Sequence, residues 1–140
     1  DALISSVSNW RLPVYYIDHV PQKKLYQILL SAKASILAPG TSYYWWNNFA
    51  KMVDYIALGV PVIADVPVLS EARKELSRAS LGFFLEYDGE QEDAARLNIW
   101  LKDFDGNRTN NDYRKRYLAS TQVAEFARLF DDLYEQLKNE

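Results

Sequence analysis

The sequence predicts an α/β domain: a parallel sheet flanked by helices. Three observations carry this. Short apolar or β-branched runs alternate with segments of helical spacing, the arrangement of repeated βαβ units. The runs are apolar almost throughout, as strands buried on both faces are. The central helical segment ends on Gly59 and Pro61, just before the next run, so the elements are punctuated as separate units.

Taken in order, Val14-Tyr15-Tyr16-Ile17 reads as the first strand. Residues 22–33 place Leu25, Ile28, Leu29 and Ala32 at i, i+3, i+4, i+7, an amphipathic helix. Residues 34–38 (Ala-Ser-Ile-Leu-Ala) form the second predicted strand. The stripe Phe49, Met52, Val53, Ile56 and Ala57 predicts a helix over 47–58. Residues 61–64 (Pro-Val-Ile-Ala) make the third strand. A helix over 68–79 follows Pro67 and turns Leu69, Ala72 and Leu76 inward, and 82–87 (Gly-Phe-Phe-Leu-Glu-Tyr) is the fourth strand. A helix over 90–103 opens on an acidic run suited to a helix N-terminus and directs Ala94, Leu97 and Leu101 inward. Turn chemistry fills 105–111. A long terminal helix covers 121–138, with Val123, Phe126, Ala127, Phe130, Leu133, Tyr134 and Leu137 on one stripe.

The composition describes one domain over residues 1–140, with no internal repeat and no low-complexity tract. A chain of this size buries roughly 68–70% of its unfolded surface, enough for a core without staples. The absence of Cys excludes a disulfide framework, a thiol nucleophile and an iron–sulfur cluster, and one His excludes a multi-histidine metal centre. We expect no metal and no bound cofactor. The net charge of −3 argues against a nucleic-acid partner. There is no apolar run of membrane-spanning length and no signal-peptide pattern, so the cytoplasm is the expected compartment. The opening Asp1 leads us to expect a trimmed or processed chain. Asn107-Arg108-Thr109 matches a glycosylation sequon that a cytoplasmic protein leaves unused.

Ligands of open parallel sheets bind beyond the carboxyl ends of the strands. The loops to examine are therefore 18–21, 39–48, 65–67 and 87–89. The second holds Tyr43-Tyr44-Trp45-Trp46 and leads into a helix whose free N–H groups suit an anion. Its aromatics either cap a core or form a platform for a sugar, a base or a second domain. Lys51 and Asp54 share a helix face, either as a surface pair or as a phosphate-facing Lys beside a hydroxyl-binding Asp. His19 reads as a helix-start or solvent histidine. Asp65 is either a ligand carboxylate or the cap of the helix near 68. No nucleophile elbow, P-loop or dinucleotide fingerprint is present. A phospho-receiver would need acids that Asp18 and Asp65 imitate only loosely.

The segment Lys51 to Ala64, reading K-M-V-D-Y-I-A-L-G-V-P-V-I-A, closely resembles the K-x-x-E-Y-x-A-x-G-x-P-V-I-A segment of GT-B glycosyltransferases, in the large retaining group related to sucrose and glycogen synthases. Tyr15 to Pro21, Leu25 to Leu30 and Ala32 to Pro39 look like the upstream strands and helix of that group, and Glu71 to Leu76 with Leu81-Gly82-Phe83 like its downstream ones. The resemblance spans about residues 13–88 and is strongest at G-x-P-V-I.

It implies a Rossmann-like, incomplete C-terminal half of a GT-B enzyme: the domain that binds a nucleotide-sugar donor such as a UDP- or GDP-sugar. Asp54 falls where the second Glu of the family's paired-Glu motif binds the ribose. The first, donor-contacting Glu falls at Trp46, a departure. The resemblance places Val20 and Pro21 at the base pocket, and Asn47, Asn48 and Phe49 where backbone amides face sugar or diphosphate. Thr41 lies on the same loop, and Lys51 is the residue expected near the phosphates.

The implied activity is transfer of a sugar to a glycan or lipid-linked acceptor, with peripheral membrane association of the full-length protein. The N-terminal acceptor domain and two strands of the donor domain have no counterpart here, so the isolated chain is expected to be inactive. In the family's strand order the missing strands lie between 14–17 and 34–38 and leave a gap there, so the chain is expected to be a fragment, a second copy of half a domain, or a piece that repairs the gap by rearrangement or as a homo-oligomer. The rival expectation is a non-catalytic carbohydrate- or protein-interaction domain on a degenerate transferase scaffold, which Trp46 favours.

Overall fold

The computed structural model describes residues 15, 17–38, 50–86, 90–104 and 109–138. Its element order is α1 (Gln22–Ser31), β1 (Ser35–Leu37), α2 (Ala50–Leu58), β2 (Val62–Ala64), α3 (Glu71–Arg78), β3 (Gly82–Phe84), α4 (Glu90–Asp103), α5 (Asn111–Lys115) and α6 (Ala119–Lys138). The strands form a three-stranded parallel sheet in the order β1-β2-β3, flanked by helices, a Rossmann-like α/β arrangement. Ile36, Ile63 and Phe83 lie in register across it. Flanking bonds extend the ladders: Ser35 donates to the Pro61 carbonyl at 2.7 Å and Leu85 to that of Ala64 at 3.1 Å.

The core lies on one side of this sheet. Leu37, Val62 and Ala64 point into it and meet Met52 and Ile56 of α2 and Ala72 and Leu76 of α3, all buried. Those helix positions follow the 3.6-residue period the sequence shows. α2 and α3 share a face because right-handed crossovers from β1 to β2 to β3 progress in one direction.

Two turns end these helices in the same way. Gly59 at φ 71° donates to Ile56 O while Val60 donates to Tyr55 O, and Ser80 at φ 57° donates to Ser77 O while Leu81 donates to Leu76 O. Both are Schellman closures, in which a left-handed residue satisfies the last carbonyls.

Among the described residues, the opposite face is covered at the β3 end. Phe83 meets Trp100 of α4, with ring centroids 5.5 Å apart, and Trp100 meets Phe104 at 5.3 Å. Ile36, on the same face of β1, is 70% exposed. The expectation that the strands are buried on both sides thus fails at Ile36 of β1, because among the described residues the helix covering this face, α4, sits over β3. Three other readings change. Tyr15 and Ile17, the described residues of the first predicted strand, lie outside any strand and are exposed. Side-chain preference does not hold a strand that lacks a paired neighbour and a buried face. Leu69, expected inward, is 77% exposed because the helix starts after it. In α4 Leu97 and Leu101 are part-buried as expected, together with Trp100, but Ala94 is exposed. The short helix α5, capped by the Asn110 side chain accepting from Tyr113 N at 3.0 Å, was not predicted. α6 begins two residues before the predicted boundary.

Candidate functional site

Chain direction determines where the helix ends fall. α1 runs into β1 and α2 runs into β2, and both strands are parallel, so α1 and α2 are parallel to each other. Their N-termini therefore stand together at the carboxyl end of the sheet, where ligands of this architecture bind. One contact fixes the pair: the Tyr26 hydroxyl of α1 donates to Asp54 Oδ1 of α2 at 3.1 Å, and Gln22 Nε2 in turn donates to that hydroxyl at 2.5 Å.

Val20 and Pro21 thus lie at the start of α1, Lys51 and Asp54 near the start of α2, at one end of the sheet. Val20 is part-buried and Pro21 exposed. The Pro21 carbonyl is spent on the helix, accepting from Lys24 N at 2.9 Å and Leu25 N at 3.1 Å. Lys51 is exposed and does not pair with Asp54, which replaces the surface-pair reading with the Tyr26 contact. Asp54 is part-buried. A carboxylate has about four lone-pair sites, so the Tyr26 bond leaves room for further hydroxyl donors. Beside it, burial and the Asp54 charge raise the pKa of Tyr55. Thr41, Asn47, Asn48 and Phe49, with the aromatic run 43–46, lie outside the described residues.

His19 is exposed, and its backbone N–H donates to Asp18 Oδ1 at 2.7 Å, as suits a helix lead-in. Asp65 is not the cap of the following helix. That role belongs to Ser70, whose hydroxyl accepts from Arg73 N at 3.2 Å. Pro67 and the turn at 68–69 separate Asp65 from the first free N–H groups.

Sequence reasoning missed a charged network at the same end of the sheet. Arg73 lies over Phe84, 4.4 Å from the ring centroid, and pairs with Glu86 at 3.2 Å. Arg96 reaches Glu86 at 3.6 Å and Asp93 at 2.8 Å, and Asp93 Oδ2 accepts from Glu86 N at 2.9 Å. Arg73, in the first turn of α3, was the available signal. Two acids hold the two guanidiniums, so the network first of all ties β3 to α3 and α4. A cleft of about 520 Å³ opens between β3 and α4, lined by Phe83, Phe84, Arg96, Ile99, Trp100 and Asp103. None of the sequence-predicted site residues lines it.

A second cluster fastens α5 and the turn after it to α3. Glu75 accepts from the Tyr113 and Tyr117 hydroxyls and pairs with Arg78 at 2.9 Å. Burial pushes its pKa up, but these donors outweigh it and hold the carboxyl below its ordinary value. Burial and the Glu75 contact raise the pKa of Tyr117.

Among the described residues no group of three or more acids or histidines is placed to hold a metal ion, and no helix is long and apolar enough to cross a membrane. Compared with family models, curated proteins and solved structures, the chain matches none.

Proposed function

We propose that this chain is the donor-binding part of a glycosyltransferase that uses a nucleotide-diphosphate sugar. The observation that carries the reading is the Tyr26–Asp54 contact, which joins the two parallel helices whose N-termini border the carboxyl end of β1. In this reading Asp54 Oδ2 accepts from the ribose hydroxyls, while Tyr26 fixes the carboxylate through Oδ1. Val20 and Pro21 flank the base. Lys51 and the N-terminal N–H groups of α2 attract the diphosphate. Catalysis is electrostatic: the leaving diphosphate is stabilised by helix N-termini and basic side chains, and the acceptor is a glycan or lipid-linked glycan brought by an acceptor domain.

The test is a thermal-shift titration of the chain with UDP, GDP, ADP and their sugar conjugates. A ligand at about 100 times its dissociation constant stabilises by about 2.7 kcal/mol, a rise of several degrees in the midpoint. The expected result is a shift with one nucleotide, abolished in Asp54→Ala and reduced in Tyr26→Phe. No shift with any nucleotide, or a shift indifferent to Asp54→Ala, refutes this assignment. The second reading, a non-catalytic interaction domain, is favoured by Trp46 standing where the related enzymes carry the donor-contacting Glu. It expects no nucleotide response.

A further inference from the structure

Among the described side chains, the longest helix contributes none to the buried core. In α6, Val123, Phe126, Leu129, Phe130 and Tyr134 are 53% to 68% exposed, and Thr121 alone among its described side chains is part-buried. With roughly 150–250 Å² per aromatic side chain, these five expose on the order of 600 Å², the upper end for the largest patch on a monomer.

The order of residues says more than the area. Val123, Phe126, Phe130, Leu133 and Leu137 are spaced three, four, three, four. That is the a/d register of a helix pairing with another helix. The flanking e and g positions, Gln122, Ala127, Leu129, Tyr134 and Gln136, are all uncharged. The charges Glu125, Arg128, Asp131, Asp132, Glu135 and Lys138 fall on the outer positions. This distribution is net acidic, unlike helices that lie on anionic membranes, which are rich in Lys and Arg.

We infer that α6 is a self-association helix, its apolar seam packing on the same seam of a second copy of this chain. Uncharged e and g positions neither repel an identical helix nor select a charged partner. Parallel in-register pairing stacks each a and d position on its own copy and brings the two Phe130 positions together, so the interface is self-complementary. Two such faces bury about 1,200 Å² in total, the lower bound of stable specific interfaces, which fits a dimer in reversible exchange with monomer.

The test is the mass of the chain by analytical ultracentrifugation over a range of micromolar concentrations. The expected result is a monomer–dimer equilibrium, with the dissociation constant raised at least about tenfold in Phe126→Glu/Phe130→Glu while the near-ultraviolet circular dichroism is kept. A chain that stays monomeric throughout overturns the inference and leaves the face to a different occupant. A dimer that the double variant does not weaken overturns it too. A second measurement does not depend on how the charged variant folds. The chain lacks Cys, so Phe130→Cys should form a covalent dimer on oxidation and Arg128→Cys, on the outer face, should not. Equal cross-linking of the two, or none at position 130, contradicts the seam.

Discussion

Gly59 is the residue whose replacement tests the packing logic most directly. It sits at φ 71°, and a Cβ placed there would lie within 2.6 Å of Arg114 Nη1. That guanidinium lies over the end of α2, where Nε donates to Ile56 O at 3.1 Å and Nη2 to Ala57 O at 3.3 Å, while Nη1 bonds Asn111 Oδ1 at 2.8 Å. Gly59→Ala therefore has two costs. A left-handed conformation costs an L-residue about 1–2 kcal/mol. Displacing the guanidinium also loses charge-assisted bonds to helix carbonyls, worth about 1–2 kcal/mol in total at this partly exposed site. The single variant should lose about 2–4 kcal/mol in urea unfolding, and Arg114→Ala about 1–2 kcal/mol. The double-mutant cycle separates the costs: with Arg114 gone, Gly59→Ala should retain only the backbone strain, leaving a coupling of about 1–2 kcal/mol. Strict additivity would falsify the claim that the guanidinium needs the space over Gly59.

The paired turn at Ser80 predicts the opposite sign: Ser80→Gly should raise stability by about 0.5–1 kcal/mol in the same assay, because φ 57° strains any residue with a Cβ. The depressed pKa of Glu75 fixes a pH dependence. Its contribution is complete above the unfolded value of about 4.5 and is lost as pH falls through the lower folded value, so Glu75→Gln should be less stable at neutral pH and should flatten the stability curve below pH 4.5. A curve of unchanged shape, measured by midpoint against pH, would remove the carboxylate from that role. Ile36→Thr should change stability by no more than about 0.5 kcal/mol, whereas Trp100→Ala should cost about 2 kcal/mol or more. The same loss at both sites would mean the sheet face is covered over β1 as well.

Legibility in the sequence followed the range of the interactions involved. α2 and α4 keep their predicted ends at Leu58 and Asp103 because local signals, a left-handed Gly and a change of periodicity, define them. The segment 14–17 carries the same local signal as a strand and is not one at its described residues, because pairing and burial are non-local. The helix expected from 68, with Asp65 as a candidate cap, instead starts at Glu71 with Ser70 as its cap, and Pro67 separates Asp65 from that turn. Tyr26 and Asp54 are 28 residues apart, and Arg114 is 58 from Ile56, so no window of sequence could join them.

That distinction bears on what the glycosyltransferase resemblance carries. In its most specific stretch, Gly59-Val60-Pro61-Val62-Ile63-Ala64, the fold accounts for Gly59, Pro61, Val62 and Ala64. Gly59 closes the helix in a left-handed turn under Arg114, and Pro61 lends its carbonyl to Ser35 where the helix cannot continue. Val62 and Ala64 are fully buried in the central strand. Any chain passing from a capped helix into a buried parallel strand meets the same demands, whatever it binds. Asp54 is different. Among the described residues nothing in the packing requires an acid one helical turn inside α2, and a residue chosen only to meet Tyr26 need not carry charge. A part-buried carboxylate with one oxygen held by a phenol, at the carboxyl end of the sheet, is poised to accept further hydroxyl donors. The proposed nucleotide site therefore rests on Asp54 and Tyr26, and the titration with their variants tests function where changes at Gly59 or Pro61 test only folding.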